Sequence, residues 1–308
     1  MNIYNQKDAN VRKTWLLMAV FFGVVIGIGW VVSQYYQDPS ILYIAVIFSI
    51  GMNFISYWFS DKIVLALHKA KAVELKSNPE LFRILENLTI TAGLPLPRFF
   101  VINDPAPNAF ATGRNAKHAV VAVTSGLLEK LDRSEIEGVL AHELSHIGNR
   151  DMLVSTVAVV LVGFVSIISD MFMRSLWFRG GDNDNRGSNG IIIIVGILLS
   201  ILAPIFATLI HLAISRKREF LADASAVLLT RYPEGLVSAL KKISQYDHQP
   251  IRTATNATAH LFFENPFGAD ADGDGIPDHK QKVPWLAKLF STHPPIEERI
   301  KALQGLTP

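Results

Sequence analysis

The chain has 308 residues, half of them hydrophobic and only 18% charged, with a net charge of +2 and no cysteine. The lack of cysteine excludes disulfides, thiolate metal sites and cysteine nucleophiles, and the near-neutral balance gives no reason to expect nucleic acid as a partner. The length suits one large domain or two small ones, and the apolar weight is high for a soluble protein.

The charge deficit is local. After a polar, basic start, MNIYNQKDANVRK, residues 14–37 carry no charge, and neither do residues 39–60. Two later runs, 152–169 and 191–210, are uncharged as well. Each of the four is long enough to cross a bilayer. The last two also admit reading as buried core helices, or as a hairpin that dips into the membrane without crossing it. No small-x-small site follows the first run, so it reads as an uncleaved anchor. Lys7, Arg12 and Lys13 precede it, and the link to the second run has neither lysine nor arginine. Lys62, Lys69, Lys71 and Lys76 follow the second run, and Arg216, Lys217 and Arg218 follow the fourth. Four spans with this bias place both termini, residues 61–151 and the tail from 214 on the cytoplasmic side. Residues 170–190 then lie outside, although they hold three arginines.

Between the apolar runs the pattern is that of a folded domain. Residues 61–95 read as helical, with a capping start at SNPELF. RFFVIND at 98–104 and HAVVAVTSG at 118–126 read as strands, with a third in NAFATGRN that ends in a turn. LLEKL is a short helix. SRKREFLADASAVLLTR and PEGLVSALKKISQY are two more, and residues 250–290 are rich in loop signals. Within the last stretch, ADADGDGIPD spaces Asp270, Asp272, Asp274 and Asp278 like a calcium-binding loop, but cytoplasmic calcium is scarce and a solvated acidic turn is the favoured reading. The fold class expected is mainly α with a small β-sheet, an α+β domain, plus four transmembrane helices. Its segments are an N-terminal transmembrane hairpin at 1–60, a first domain part at 61–151, a second hairpin at 152–214 and a second domain part at 215–308.

The chemistry sits in VLAHELSHIGNRD at 139–151. His142 and His146 are four apart, so a helix sets both imidazoles on one face, able to grip one metal ion. Glu143 beside them can reach a water on that metal. SEIE at 134–137 reads as a capping box with Ser134 as cap and Glu137 reaching back. Gly148 and Asn149 read as the C-terminal stop. A catalytic zinc site takes three protein ligands and keeps one position open, and Glu219 is the candidate third. Asp223, four residues on, shares its face and can hydrogen-bond a ligating histidine; the plain alternative is a solvated acidic pair. At 1.5 Å per residue, His146 lies about 9 Å from the third apolar run, and Glu219 a similar distance from the end of the fourth span, near Ile214. The intervening hairpin therefore returns the third ligand to the first two.

H-E-x-x-H followed by E-x-x-x-D is the gluzincin pattern, and the chain resembles the HtpX-type bacterial membrane proteases, relatives of the CAAX prenyl proteases. The matching pieces are NAFATG at 108–113, AHELSHI at 141–147, SRKREFLADASAV at 215–227 and STHPPIEERI at 291–300. The resemblance implies an inner-membrane, multi-pass zinc endopeptidase, with one Zn2+ per chain, that cuts misfolded or damaged membrane proteins at the cytoplasmic face during envelope stress. It implies His142, His146 and Glu219 as ligands, Glu143 as general base and Asp223 as the acid behind a ligand. His293 and Arg299 are implied near the scissile carbonyl, where either would stabilise an oxyanion. Asn108, Ala109, Phe110 and Ala111 are implied on an edge strand that pairs with the substrate backbone. By residue chemistry alone, His293 before two prolines is a histidine in a rigid turn. In this reading Glu143 takes a proton from the attacking water and passes it to the leaving amine. The expected partners are polypeptides, membrane proteins among them, and lipid; the oligomeric state is open. Two rivals remain. A metal transporter would use the same three ligands, but these lie outside the apolar runs, where only His211 sits in or near one. A zinc-stabilised scaffold would close its site with four ligands and would not need Glu143.

Overall fold

The structure is a computed structural model, and it describes residues 3–76, 78–161, 163–164, 216–246, 251–255, 258, 261–264, 266 and 294–305. The fourth apolar run, the calcium-like loop at 269–278, His211 and His293 lie outside the described residues.

Two helices open the chain, α1 (Ile3–Tyr36) and α2 (Ser40–Trp58). They fold back on each other through a tight turn in which Gln37 takes a left-handed conformation. Gly29 is required at their contact, because a Cβ there would come within 2.3 Å of the Ala45 Cβ. Both are long and apolar enough to cross a membrane, over Asp8–Tyr36 and Ser40–Trp58. Exposed aromatic side chains cluster near their two ends, Trp15 and Trp58 at one and Tyr35, Tyr36 and Tyr43 at the other. From Trp15 to Tyr36 the helix rises about 32 Å, close to the thickness of a hydrocarbon core. Such belts are typical of membrane interfaces.

The body follows. The segment expected to be helical from 61 to 95 divides into α3 (Ser60–Leu67), a two-residue strand β1 (Lys71–Ala72) and α4 (Pro79–Ala92). The break falls where Lys69 adopts positive φ and the chain turns to pair with the sheet. Helix α4 is capped by the Asn78 side chain, which accepts from the Leu81 N–H, with Pro79 at the first position. Strands β2 (Arg98–Ile102), β3 (Ala109–Thr112) and β4 (Val120–Thr124) complete a mixed sheet of order β1-β2-β4-β3. β2 and β4 are parallel, while β3 runs antiparallel to β4 with Ala109 opposite Val123.

β4 is buried on both faces. Val121 and Val123 join the main core with Leu85, Leu140 and Leu144, and Ala122 points to a second cluster with Val64, Phe110 and Phe262. This is the period-2 alternation of a strand with a layer on each side. Helices α5 (Ser125–Lys130) and α6 (Arg133–Asn149) lie on the main-core side. Next comes an apolar helix, α7 (Asp151–Leu161), the described start of the third apolar run. α7 is largely buried: Leu153, Val157 and Leu161 pack against Leu17 and Phe21 of α1. The Thr156 hydroxyl lies 3.0 Å from that of Thr112 on β3. Helices α8 (Arg216–Thr230), α9 (Pro233–Ser244) and α10 (Ile296–Gln304) close the described body. The architecture is thus mostly helical with a small mixed four-stranded sheet, and two membrane-length helices stand among the described residues.

Candidate metal centre

Helix α6 carries the histidine pair, and its start differs from the expected cap. Asp132, not Ser134, is the cap: its side chain accepts from the Glu135 N–H, and Glu135 accepts back from the Asp132 N–H at 2.7 Å. The reason is tertiary. Glu135 is buried, and its carboxylate also accepts from Ser238 Oγ at 2.6 Å and Lys242 Nζ at 2.7 Å on α9. The helix also runs through Gly148 and Asn149, and ends at Arg150, which takes the left-handed conformation at φ 58°. A residue without Cβ is needed at Gly138, because a Cβ there would meet the Leu236 backbone nitrogen of α9 at 2.9 Å.

The two imidazoles point their Nε2 atoms at each other, 3.1 Å apart. Glu219, in the first turn of α8, faces both: Oε2 is 3.5 Å from His142 Nε2 and Oε1 is 3.6 Å from His146 Nε2. Across the sequence separation between α6 and α8, His142, His146 and Glu219 form one cluster able to hold a metal ion. Glu143 is buried on the same helical turn.

Each histidine has a carboxylate at its other nitrogen. Asp223 Oδ1 lies 2.8 Å from His142 Nδ1. Asp151 Oδ2, on the first residue of α7, lies 3.3 Å from His146 Nδ1. With both Nδ1–H groups donating outward, both Nε2 lone pairs face the shared space. Burial disfavours charged imidazoles, but Asp223 and Glu219 outweigh it and raise His142. Glu219 and Asp151 likewise push His146 up to about 9. The carboxylates around the pair therefore call for a cation. For ligand bonds of about 2.0–2.1 Å, the edges of a tetrahedron are about 3.3 Å, and the nitrogen–nitrogen and nitrogen–oxygen separations fall around that value. The donor set of two imidazoles and a carboxylate fits zinc.

Arg299 is fully buried. Its Nε and one terminal nitrogen donate to the two Asp223 oxygens at 2.9 and 2.7 Å, and the other donates to the Phe263 carbonyl at 3.2 Å. The guanidinium also lies 4.6 Å from the centre of the Phe263 ring. Burial would raise the Asp223 carboxyl, but the guanidinium overrides it and holds Asp223 at about 2.

β3 is an edge strand of the described sheet. Asn108 O accepts from Thr124 N on β4, so by alternation Ala109 and Ala111 turn their backbone groups to the outer edge. The Phe263 N–H already donates to Ala109 O at 2.7 Å, and the Asn108 side chain bridges both backbone groups of Glu264. Phe110 points away from that edge into a buried cluster with His68 and Phe262.

Asp151, Asn10 and Arg218 are the residues at this centre that the sequence did not reveal. Asp151 is five positions past His146 and beyond the helix end, outside the spacing that defines one helical face.

A histidine pair on one helix, a glutamate from a second and a further buried glutamate on the turn of the pair make up the site of a metallopeptidase. Residues 75–307 match Peptidase family M48. A protease HtpX homolog from Caldanaerobacter subterraneus subsp. tengcongensis is 43% identical over 313 residues, covering 99% of this chain and 98% of the relative. One from Pyrococcus furiosus is 46% identical over 296 residues, covering 96% and 95%. The crystal structure of S. mikatae Ste24p is similar in fold, with a TM-score of 0.51 at 20% identity over 97% of this chain and 67% of that chain. The chain belongs to peptidase family M48 and is a metal-dependent membrane protease.

Proposed function

We propose that this peptidase is a multi-pass endopeptidase of the bacterial cytoplasmic membrane. It holds one zinc per chain and cuts misfolded or damaged membrane polypeptides at the cytoplasmic face. The observation that carries the reading is the convergence of His142 Nε2, His146 Nε2 and the Glu219 carboxylate, with Glu143 on the same turn. A bound zinc supplies Lewis-acid polarisation of water and of a peptide carbonyl. Glu143 takes the proton of the attacking water and delivers it to the leaving nitrogen. Asp223 holds the His142 tautomer, and Arg299 fixes Asp223. That contact makes Arg299 a positioning residue in this reading, which leaves the oxyanion to His293, a role argued from sequence alone. On the outer edge, Ala111 presents its backbone groups to an extended substrate, while those of Ala109 are held by the Phe263 N–H and the Asn108 side chain.

Two features favour a protease over the rivals. The cluster belongs to α6 and α8, not to the apolar windows of α1 and α2, which disfavours a transport site. Among the described residues, three protein donors with an adjacent buried glutamate disfavour a closed structural site. The test is cleavage of a model membrane protein by the purified full-length chain in detergent. Cleavage that stops with a chelator and returns with zinc supports the proposal. Cleavage indifferent to chelation overturns it.

A further inference from the structure

Helix α1 is longer than a membrane needs. Its 34 residues rise about 51 Å, against a hydrocarbon core of about 30 Å. The surplus lies at its N-terminal end, and that end enters the protease body. Asn10 is buried there, 3% exposed. Its side-chain amide donates to Asp151 Oδ1 at 2.6 Å and to the Asn149 carbonyl at 3.1 Å. Arg218, adjacent to Glu219, donates to the same Asp151 oxygen at 3.3 Å. The other Asp151 oxygen faces His146 Nδ1.

Asp151 is therefore shared between three elements. One oxygen is clamped by α1 and α8, and the other meets the second histidine of α6. A carboxylate held on one side has little freedom on the other, and a ligating histidine whose far nitrogen meets a fixed acceptor keeps its tautomer and ring plane. Asp223 has its clamp in Arg299, and Asp151 has a corresponding one in Asn10 and Arg218.

We propose that Asp151 is the positioning residue for His146 and that Asn10 holds Asp151 in place, so that the first apolar helix takes part in assembling the metal centre. The proposal rests on His146 being a ligand. Its consequence is that loosening the α1 tip weakens metal binding at a distance, without touching a ligand.

The test is zinc affinity of the purified full-length chain in detergent, by competition with a chromophoric chelator. Asp151→Ala is expected to bind zinc 10–100-fold more weakly, the loss typical of a lost carboxylate partner. Asp151→Asn keeps the shape and one acceptor, and is expected to lose several-fold. Asn10→Ala is expected to lose a few-fold, and Asn10→Ala with Asp151→Ala no more than Asp151→Ala alone, because Asn10 acts through Asp151. A merely structural staple would lower the thermal midpoint of the zinc-free variants and leave zinc affinity unchanged, which overturns the proposal. Multiplying losses in the double variant overturn the Asn10 link. If Asp151→Ala fails to fold, Asp151→Asn decides: parental affinity overturns the role of Asp151. His146→Ala separates the two levels. Zinc retained there defeats the ligand assignment, whereas zinc lost there but kept in Asp151→Asn defeats only the present inference.

Discussion

Arg299 grips both oxygens of Asp223, at 2.9 and 2.7 Å, with no exposed surface of its own. The pair stands directly behind His142, whose Nδ1 lies 2.8 Å from the same carboxylate. In the proposed reading, a residue so placed acts on His142 and not on a substrate carbonyl. Arg299→Ala leaves a buried carboxylate without its partner, which costs about 3–5 kcal/mol. It should lower both the thermal midpoint and zinc affinity. Arg299→Lys cannot form the two-pronged contact and should lose zinc affinity too. A fall in turnover with zinc affinity intact would instead return Arg299 to the oxyanion role.

Glu219→Ala should abolish zinc binding measured by metal analysis of the purified chain, although Glu219 is remote in sequence from the histidines. Zinc at parental occupancy would shift the third ligand elsewhere.

His68 gives the chain a pH dependence away from the metal centre. It is 1% exposed, packed between Phe110 and Phe262, with Nδ1 2.9 Å from the Thr253 hydroxyl. Burial, against a smaller opposing pull from Asp104, lowers its pKa from 6.5 to about 4. The unfolded chain thus binds the extra proton first. The contribution of His68 is complete above pH 6.5 and is lost as pH falls towards 4, at most about 3 kcal/mol. Thermal midpoints should drop across that window, and His68→Gln should flatten this part of the drop. An unchanged slope in the variant would contradict the assignment.

Reporter fusions test the side of the membrane. A fusion after residue 130, at the end of α5, should report cytoplasm, and one after residue 36, in the α1–α2 turn, the far side. Inverted reports would place the metal centre outside.

Much of this was legible in the residues. The spacing of His142, Glu143 and His146 announces a metal helix, and Glu219 with Asp223 reads as one helical face because both patterns are local. The strands at 98–104 and 118–126 were visible from β-branched runs, with ends trimmed by two residues or so. The cap of α6 was misplaced because D-x-x-E at Asp132 and S-x-x-E at Ser134 compete in overlapping positions. The choice is made by Ser238 and Lys242, which hold Glu135 from another helix. The stop at Arg150 was hidden because a non-glycine residue takes the left-handed turn there. Asn10 carries no local signal at all, since its partner Asp151 lies 141 positions away.

In the proposed mechanism Glu143 moves the proton while His142, His146 and Glu219 hold the metal. Glu143→Gln keeps the shape of the side chain and removes its basicity. Cleavage of a membrane-protein substrate and zinc content should be measured on the same preparation. The expected result is zinc at parental occupancy and cleavage reduced at least a hundredfold, the usual scale of a lost general base. Retained cleavage, or zinc lost together with cleavage, would contradict it.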